Sequence, residues 1–252
     1  MLDEALVPLP AAGRVFRAER RVRLGDADPS GRLRFDACAR YLHDVSNDDT
    51  RDSGLVDDGS WVVRRTVLDV VSPPLFLERV SLATWCGGTG SRWAERRVSV
   101  SGVKGGSVEA ASLWVYVDLD SMMPKRLGEW FVDLYGEAAG GRTVGSRLVL
   151  PGPPDDGDIE RRPWILRRTD FDILGHLNNA AYWAVLEEIV GARPELVAAS
   201  HRAVCEFARL IAPTDDVELL VHHAETGVSA WLVPRATTTV HAALHLHLHP
   251  RP

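Results

Sequence analysis

Three cysteines among 252 residues, Cys38, Cys86 and Cys205, are too scattered, and odd in number, to form a disulfide framework or a cysteine metal site. They read as packing residues of a protein kept in a reducing compartment. No uncharged apolar run approaches the about 20 residues a membrane-crossing helix needs. Asp3 and Glu4 stand where a secretion signal carries basic residues, so the expectation is a cytoplasmic chain with no membrane span. Lys and Arg number 29 against 35 Asp and Glu, and no basic block interrupts that balance. A nucleic-acid backbone is therefore excluded as the main partner. A phosphate-cradling Gly-rich loop with its Lys is absent, as is a Gly-x-Ser-x-Gly elbow, so a serine-hydrolase route finds no support. What the chain has is a 45% hydrophobic content, enough to fill real cores.

It also has an internal repeat. Val22 to Leu42 lies over Leu166 to Leu186 without gaps at an offset of 144, the separation of Asp28 from Asp172. Identities fall at Arg23/Arg167, Asp26/Asp170, Asp28/Asp172, Gly31/Gly175, Leu33/Leu177, Ala37/Ala181 and Leu42/Leu186. Composition alone would give roughly one or two. Each copy reads as a short Arg-rich strand, an Asp-x-Asp-x-x-Gly turn and a long amphipathic helix. In the second copy Asn178 or Asn179 caps the helix, and Trp183, Leu186, Ile189 and Val190 mark its apolar face until Gly191. In the first copy the helix starts near Phe35 and ends in the acidic stretch Asp48, Asp49 and Asp52.

After each helix the period changes to two. Trp61 to Val71, Val80 to Trp85, Arg92 to Val100 and Ser112 to Leu119 read as antiparallel strands, followed in the second half by Ala203 to Ile211, Val217 to His222, Val228 to Val233 and Thr237 to His249. Pro74 and Pro213 mark matching turns. Ala138 to Glu160 is rich in Gly, Pro and Asp and lacks periodicity. The expected organisation is thus an N-terminal module at 14–137, a linker at 138–160 and a C-terminal module at 161–252, each of the α+β class.

The run Thr169-Asp170-Phe171-Asp172-Ile173-Leu174-Gly175-His176-Leu177-Asn178-Asn179-Ala180-Ala181-Tyr182 resembles the signature of hotdog acyl thioesterases. The first-copy turn, Gly25 to Gly31, is similar to that of the 4-hydroxybenzoyl-CoA thioesterase branch, with Arg32 and Arg34 in place of His and Asn. Two such turns, with Trp61-Val62-Val63-Arg64-Arg65 and Pro74 to Val80 between them, resemble the acyl-ACP thioesterases of plants and bacteria. The resemblance implies a double hotdog, two antiparallel sheets each wrapped around a long central helix, and a fused pair standing in for a dimer. It implies hydrolysis of a fatty acyl thioester on acyl carrier protein or coenzyme A, with no cofactor. A homodimer is a further partner expectation. The plant enzymes carry Asp-x-Asn-x-His and a Glu after the helix; here Asp172 and His176 are kept, Leu174 takes the Asn position and Leu210 the Glu position, just beyond Glu206-Phe207. That departure leaves open the single-carboxylate mechanism of the other branch.

Thioester hydrolysis needs an attacking water or carboxylate, and donors aimed at the carbonyl oxygen as it gains charge. Asp172 meets the first need. Free N–H groups around Asn178 to Ala180, at a helix start, meet the second. His176 would orient the carboxylate or the thioester, and Asp28 is a second candidate carboxylate because both copies keep it. The expected catalytic set is therefore Asp172, His176, Asn178 and Asp28, and the expected substrate-binding set Asn179, Gly175 and Trp61. Tryptophans such as Trp61, Trp85 or Trp114 would line an apolar slot. The arginine pairs Arg20-Arg21, Arg96-Arg97, Arg161-Arg162 and Arg167-Arg168 are candidates for a pantetheine phosphate or an acidic carrier. Asp26 and Asp170 read as turn residues.

His241, His245, His247 and His249 alternate with Ala and Leu, so they share one strand face; they read as an outer face over packed Leu244, Leu246 and Leu248, and no metal site is assigned. Two rival functions remain: a hydratase or dehydratase acting on acyl thioesters, which the Asn-Asn pair disfavours, and an acyl-thioester-binding module without catalysis, which Leu174 and Leu210 favour.

Overall fold

A computed structural model describes residues 5–54, 59–155, 158–237 and 239–249. Among the described residues ten strands form one antiparallel sheet: β1 (Phe16–Arg21), β2 (Gly59–Ser72), β3 (Arg79–Thr89), β4 (Trp93–Gly102), β5 (Ser107–Asp118), β6 (Ile159–Trp164), β7 (His201–Phe207), β8 (Val217–Ala224), β9 (Gly227–Pro234) and β10 (Ala242–Leu248). Three α-helices accompany them among the same residues: α1 (Phe35–Asp52), α2 (Glu129–Ala139) and α3 (Ala184–Ala192). The sheet order is β1-β3-β4-β5-β2-β7-β10-β9-β8-β6, so each half of the chain lays its strands in the same order outward from the central β2/β7 pair.

The expected two sheets are thereby corrected to one. β2 and β7 pair from Arg65 opposite Glu206 to Val70 opposite His201, which gives the backbone donors of both strands partners and merges the halves. The expected long central helix in each half is corrected as well. α1 has 18 residues, but α3 has only nine, preceded by a 3-10 turn at Ala181–Trp183 and closed by Arg193 and Pro194. The outer edges, β1 (FRAERR) and β6 (IERRPW), are short, charged and, in β6, broken by Pro163, a composition that resists further pairing.

Period two sorts the side chains as expected: on β10, Leu244 and Leu246 are buried while His245 and His247 face the other side. On α1, Phe35, Cys38, Tyr41, Leu42, Val45 and Asp49 form the buried stripe at helical spacing. α2, which the sequence pattern did not reveal, starts at Gly128 and stops at Gly140, whose φ of +57° is the left-handed conformation glycine adopts freely. Residues 140–155 run without helix or strand against the sheet. Glu206 accepts the Val149 and Leu150 N–H groups at 2.7 and 2.9 Å, and the Trp231 indole donates to the Pro151 carbonyl at 2.9 Å. The three cysteines are free and buried, and burial pushes the Cys38 thiol to about 12 and Cys86 to about 11.

His201 lies at the centre of the joined sheet, fully buried, its Nδ1 donating to the Ala199 carbonyl at 2.8 Å and its ring edge-on to Phe35. Burial pushes its pKa down to about 4. An unfolded imidazole takes its proton near 6.5, whereas the folded one resists until about 4. Between those values the unfolded state binds more protons, so His201 makes stability rise with pH. Its contribution is intact above 6.5 and about 3 kcal/mol is lost by pH 4. Urea titrations at pH 7, 5.5 and 4 should show that decline, and His201→Gln should flatten it; an equal decline in the variant would assign it to other groups.

Candidate active site

The twin turns fold alike because the same residues make the same local bonds. In the first, Asp26 accepts the Arg23 N–H at 3.0 Å, Asp28 N–H donates to the Arg32 carbonyl at 2.9 Å, and Gly31 N–H donates to the Asp28 carbonyl at 2.9 Å. In the second, Asp170 accepts the Arg167 N–H at 2.9 Å, Asp172 N–H donates to the His176 carbonyl at 3.1 Å, and Gly175 N–H donates to the Asp172 carbonyl at 3.0 Å. Gly31 and Gly175 hold φ of +88° and +75°, which explains glycine at both places. Asp26 and Asp170 are turn residues, as expected.

The two second aspartates differ in what is left of their bonding capacity. Asp28 accepts from the Ser30 N–H (2.9 Å), the Ser30 hydroxyl (2.7 Å), the Arg32 N–H (3.0 Å) and the Arg32 guanidinium (3.2 Å). Burial works to raise its pKa, but the Ser30 and Arg32 contacts together hold it below the ordinary carboxylate value. Asp172 accepts the Leu174 N–H at 2.9 Å and meets the Asn178 amide at 3.5 Å, the outer limit of a hydrogen bond. Lone pairs remain on Asp172 that Asp28 has already committed.

The amides of the turn differ too. Asn178 is an Asx cap whose side-chain oxygen accepts the Ala180 N–H at 2.9 Å and whose carbonyl accepts the Ala181 N–H at 2.8 Å. The Asn179 N–H has no protein acceptor among the described residues. The donor array expected over Asn178 to Ala180 therefore narrows to one amide, and Asn178 is tied to Asp172 and to the turn. In the first half the register partner of Asn179 is Phe35. Its N–H is taken by the carboxylate of Glu187, reaching over from α3. Glu187 also pairs with buried Arg32 at 2.7 Å, and the Arg32 guanidinium lies over the Phe35 ring at 5.2 Å. Burial raises the Glu187 pKa against the pull of Arg32.

Beside the second turn opens a cleft of about 630 Å³, lined by Asn178, Ala180, Asp170 and Arg167 from the second half and by Arg40, His43 and Asn47 of α1 from the first. Asn47 also lines a smaller apolar cavity of about 90 Å³ with Trp61, Trp114, Phe131 and Tyr135. Between the two, His43 stacks edge-on against Trp114 at 5.9 Å. Polar cleft and apolar slot thus meet along one face of α1. Of the expected tryptophans, Trp61 and Trp114 line the slot, whereas Trp85 is buried under Arg97 with ring-to-guanidinium distance 5.4 Å.

The structure brings Asn178 to the cleft wall, with Asp172 just behind it at 3.5 Å from its side-chain amide and Asn179 next to it in the chain, and places Trp61 in the apolar slot; Asp172 and Asn179 do not themselves line the cleft. His176 closes the turn through its carbonyl and does not line the cleft, and Gly175 supplies the turn's left-handed residue. Asp28 lies in the other half, engaged as described. Leu174 and Leu210 are exposed. Of the arginine pairs, Arg96 is bound to Asp49, Arg97 to Glu109, Arg161 to Glu218 and Arg167 to Asp170, the last pair at the wall of the cleft. On the histidine strand, His245 meets the Ser229 hydroxyl at 2.9 Å and His249 meets Asp69. Among the described residues no group of three His, Cys, Asp or Glu is arranged to hold a metal ion. His43 and Asn47 were missed in the sequence, although the 144-residue register already set His43 opposite Glu187 one step beyond the matched segment.

The acyl-ACP thioesterase N-terminal domain model matches residues 13–135, and the acyl-ACP thioesterase C-terminal domain model matches residues 155–243. An uncharacterized protein of Mycobacterium tuberculosis is 34% identical over 207 residues, which is 82% of each chain. The fold is similar to a 12:0-ACP thioesterase from Umbellularia californica, with TM-score 0.76, 18% identity and coverage of 94% of this chain and 98% of that one. It is also similar to an acyl-ACP thioesterase from Bacteroides thetaiotaomicron, with TM-score 0.73, 17% identity and coverage of 92% and 97%.

Proposed function

The chain belongs to the acyl-ACP thioesterase family, and from that premise we propose that it hydrolyses fatty acyl thioesters of acyl carrier protein or coenzyme A at the cleft beside Asp172. We further propose that 14–137 and 161–252 act as two modules joined by 138–160, and that the enzyme works in the cytoplasm. The observation that carries the reading is the asymmetry of the twin turns. Asp28 accepts four hydrogen bonds and its neighbouring amide is occupied, whereas Asp172 accepts one bond and a second at the outer limit, and the Asn179 amide of the same turn is unoccupied. A thioester whose acyl chain lies against Trp61 and Trp114 would present its carbonyl carbon to the cleft. There Asp172 holds and polarises water for attack, and the Asn179 amide takes up charge developing on the carbonyl oxygen. The carrier arm would leave past Arg167 and Arg40, which suit its phosphate.

The second reading, a binder of acyl thioesters without turnover, draws on exposed Leu174 and Leu210 at positions where related enzymes place polar groups. Thiol release measured from C8 to C18 acyl chains on both carriers separates the two. The hydrolase reading expects turnover that depends on chain length and is unaffected by chelators, because a carboxylate and a backbone amide supply the activation. Binding of the same thioesters with no thiol released on either carrier would establish the binder.

A further inference from the structure

The wall of the cleft opposite the second turn belongs to a helix from the other half of the chain. The 144-residue register pairs His43 on α1 with Glu187 on α3, and Phe35 with Asn179. In the first half the Glu187 carboxylate sits on the Phe35 amide and is locked there by Arg32, so an internal acid occupies the place where a ligand oxygen would accept that N–H. In the second half the corresponding amide is vacant, and the corresponding helix position holds an imidazole. We propose, on the thioester-hydrolase reading above, that His43 is a catalytic residue supplied across the module boundary, and that it carries the proton between the attacking water and the departing sulfur.

The geometry supports this at three points. His43 lines the cleft that Asn178 also lines, and its ring nitrogens have no protein partner among the described residues. Its ring rests on Trp114, a wall of the apolar slot, so it stands where an acyl chain in that slot would end and the thioester begin. The alternative polar helpers are missing, since positions 174 and 210 are exposed leucines. The charged groups around it are mixed. Arg40, Asp36 and Asp44 come from its own helix, Asp26 from the first turn, and Asp170, Asp172 and Arg167 from the second half; Trp114 on β5 is uncharged. Burial lowers the His43 pKa below the ordinary imidazole value, while Asp44 and Asp172 work against that shift. The neutral ring required of a base is therefore the resting form at neutral pH.

In the step itself, water oxygen bonds to the carbonyl carbon as its proton moves to His43, giving a tetrahedral adduct beside the Asn179 amide. The carbon–sulfur bond then breaks, and the imidazolium proton passes to the thiolate. The products are the fatty acid and the carrier thiol, with His43 restored. Asp172, on this scheme, orients the water and favours the imidazolium.

The test compares wild type, His43→Gln and Asp172→Asn by thiol release from dodecanoyl-CoA and dodecanoyl carrier protein between pH 4.5 and 8.5. His43→Gln should lower kcat about 10²-fold with little change in KM, and should remove the acid limb that imidazole protonation gives the wild-type profile. A merely structural role would leave that limb in place. Should His43→Gln melt abnormally, the wild-type His43 resonance followed by NMR decides. It must titrate below the ordinary imidazole value, and lower still in Asp172→Asn, where a charge favouring the cation is gone. Titration at or above that value, or an unaltered rate and pH profile in a folded His43→Gln, overturns the proposal. If Asp172→Asn is inactive in that case, the hydrolase reading stands without His43; if neither variant loses rate, the site itself is misplaced.

Discussion

Asp172→Asn is expected to lower kcat by about 10²–10⁴-fold, the range a positioned acid or base contributes, with the fold retained. The substitution keeps the shape of the side chain and its bond from the Leu174 N–H, and replaces the second carboxylate oxygen by an uncharged amide donor, which on the proposed function can no longer hold and polarise water. Asp28→Asn is expected to cost far less activity, because that carboxylate is spent on Ser30 and Arg32 and the amide beside it is covered by Glu187. Its cost falls on stability instead, since the guanidinium of buried Arg32 loses one of two charged partners. Thiol release and thermal melts of both variants check the contrast. Loss of hydrolysis in Asp28→Asn alone would move the active site to the first half, and unchanged rates in both would leave binding without turnover.

That contrast shows how far the sequence reaches. Both Asp-x-Asp-x-x-Gly turns were legible because every bond that shapes them lies within a few residues, and the left-handed glycine that closes each is fixed by sterics alone. The unequal fate of Asp28 and Asp172 was not legible. It depends on Glu187 reaching 155 positions back to Arg32, a contact with no local signature. The same holds for the single sheet. Each strand's alternation announces which face is buried, but nothing in the run from Arg65 to Val70 says that its second edge pairs with β7 rather than remaining open. α3 is shorter than its apolar spacing suggests because the Asx turn at Asn178 and the 3-10 turn after it use the residues that would have formed its first turns. α2 escaped notice because two glycines, Gly128 and Gly136, punctuate an aromatic segment that packs through Phe131 and Tyr135. His43 carries no motif of its own: its place in the cleft comes from α1 packing across to the second half of the chain.

Asp49→Ala is the substitution expected to cost most stability, about 3 kcal/mol, near the low end for breaking a buried ion pair because both arginine partners are partly exposed. The Asp49 carboxylate is 1% exposed and sits at the end of α1. It accepts from Arg14 at 2.7 Å, Arg96 at 2.6 Å and the Tyr135 hydroxyl at 3.0 Å, so it joins the segment before β1, strand β4 and helix α2 to the same helical turn. Truncation leaves two guanidinium groups and a phenol without their common acceptor, in surroundings too dry for water to replace it fully. For a chain of this size the loss corresponds to a melting temperature about 6–12 °C lower. The effect should not stop at stability. Arg96 and Tyr135 line the apolar slot together with Thr50, the residue next to Asp49, so loosening them alters the surface an acyl chain would meet. On the proposed function, KM for long acyl chains should rise more than KM for short ones, while kcat for short chains stays near wild type because Asp172 and the Asn179 amide are untouched. A melting shift under about 2 °C would show that the arginines find other partners. An equal loss of kcat at every chain length would show that the α1 end supports the reacting groups rather than the slot.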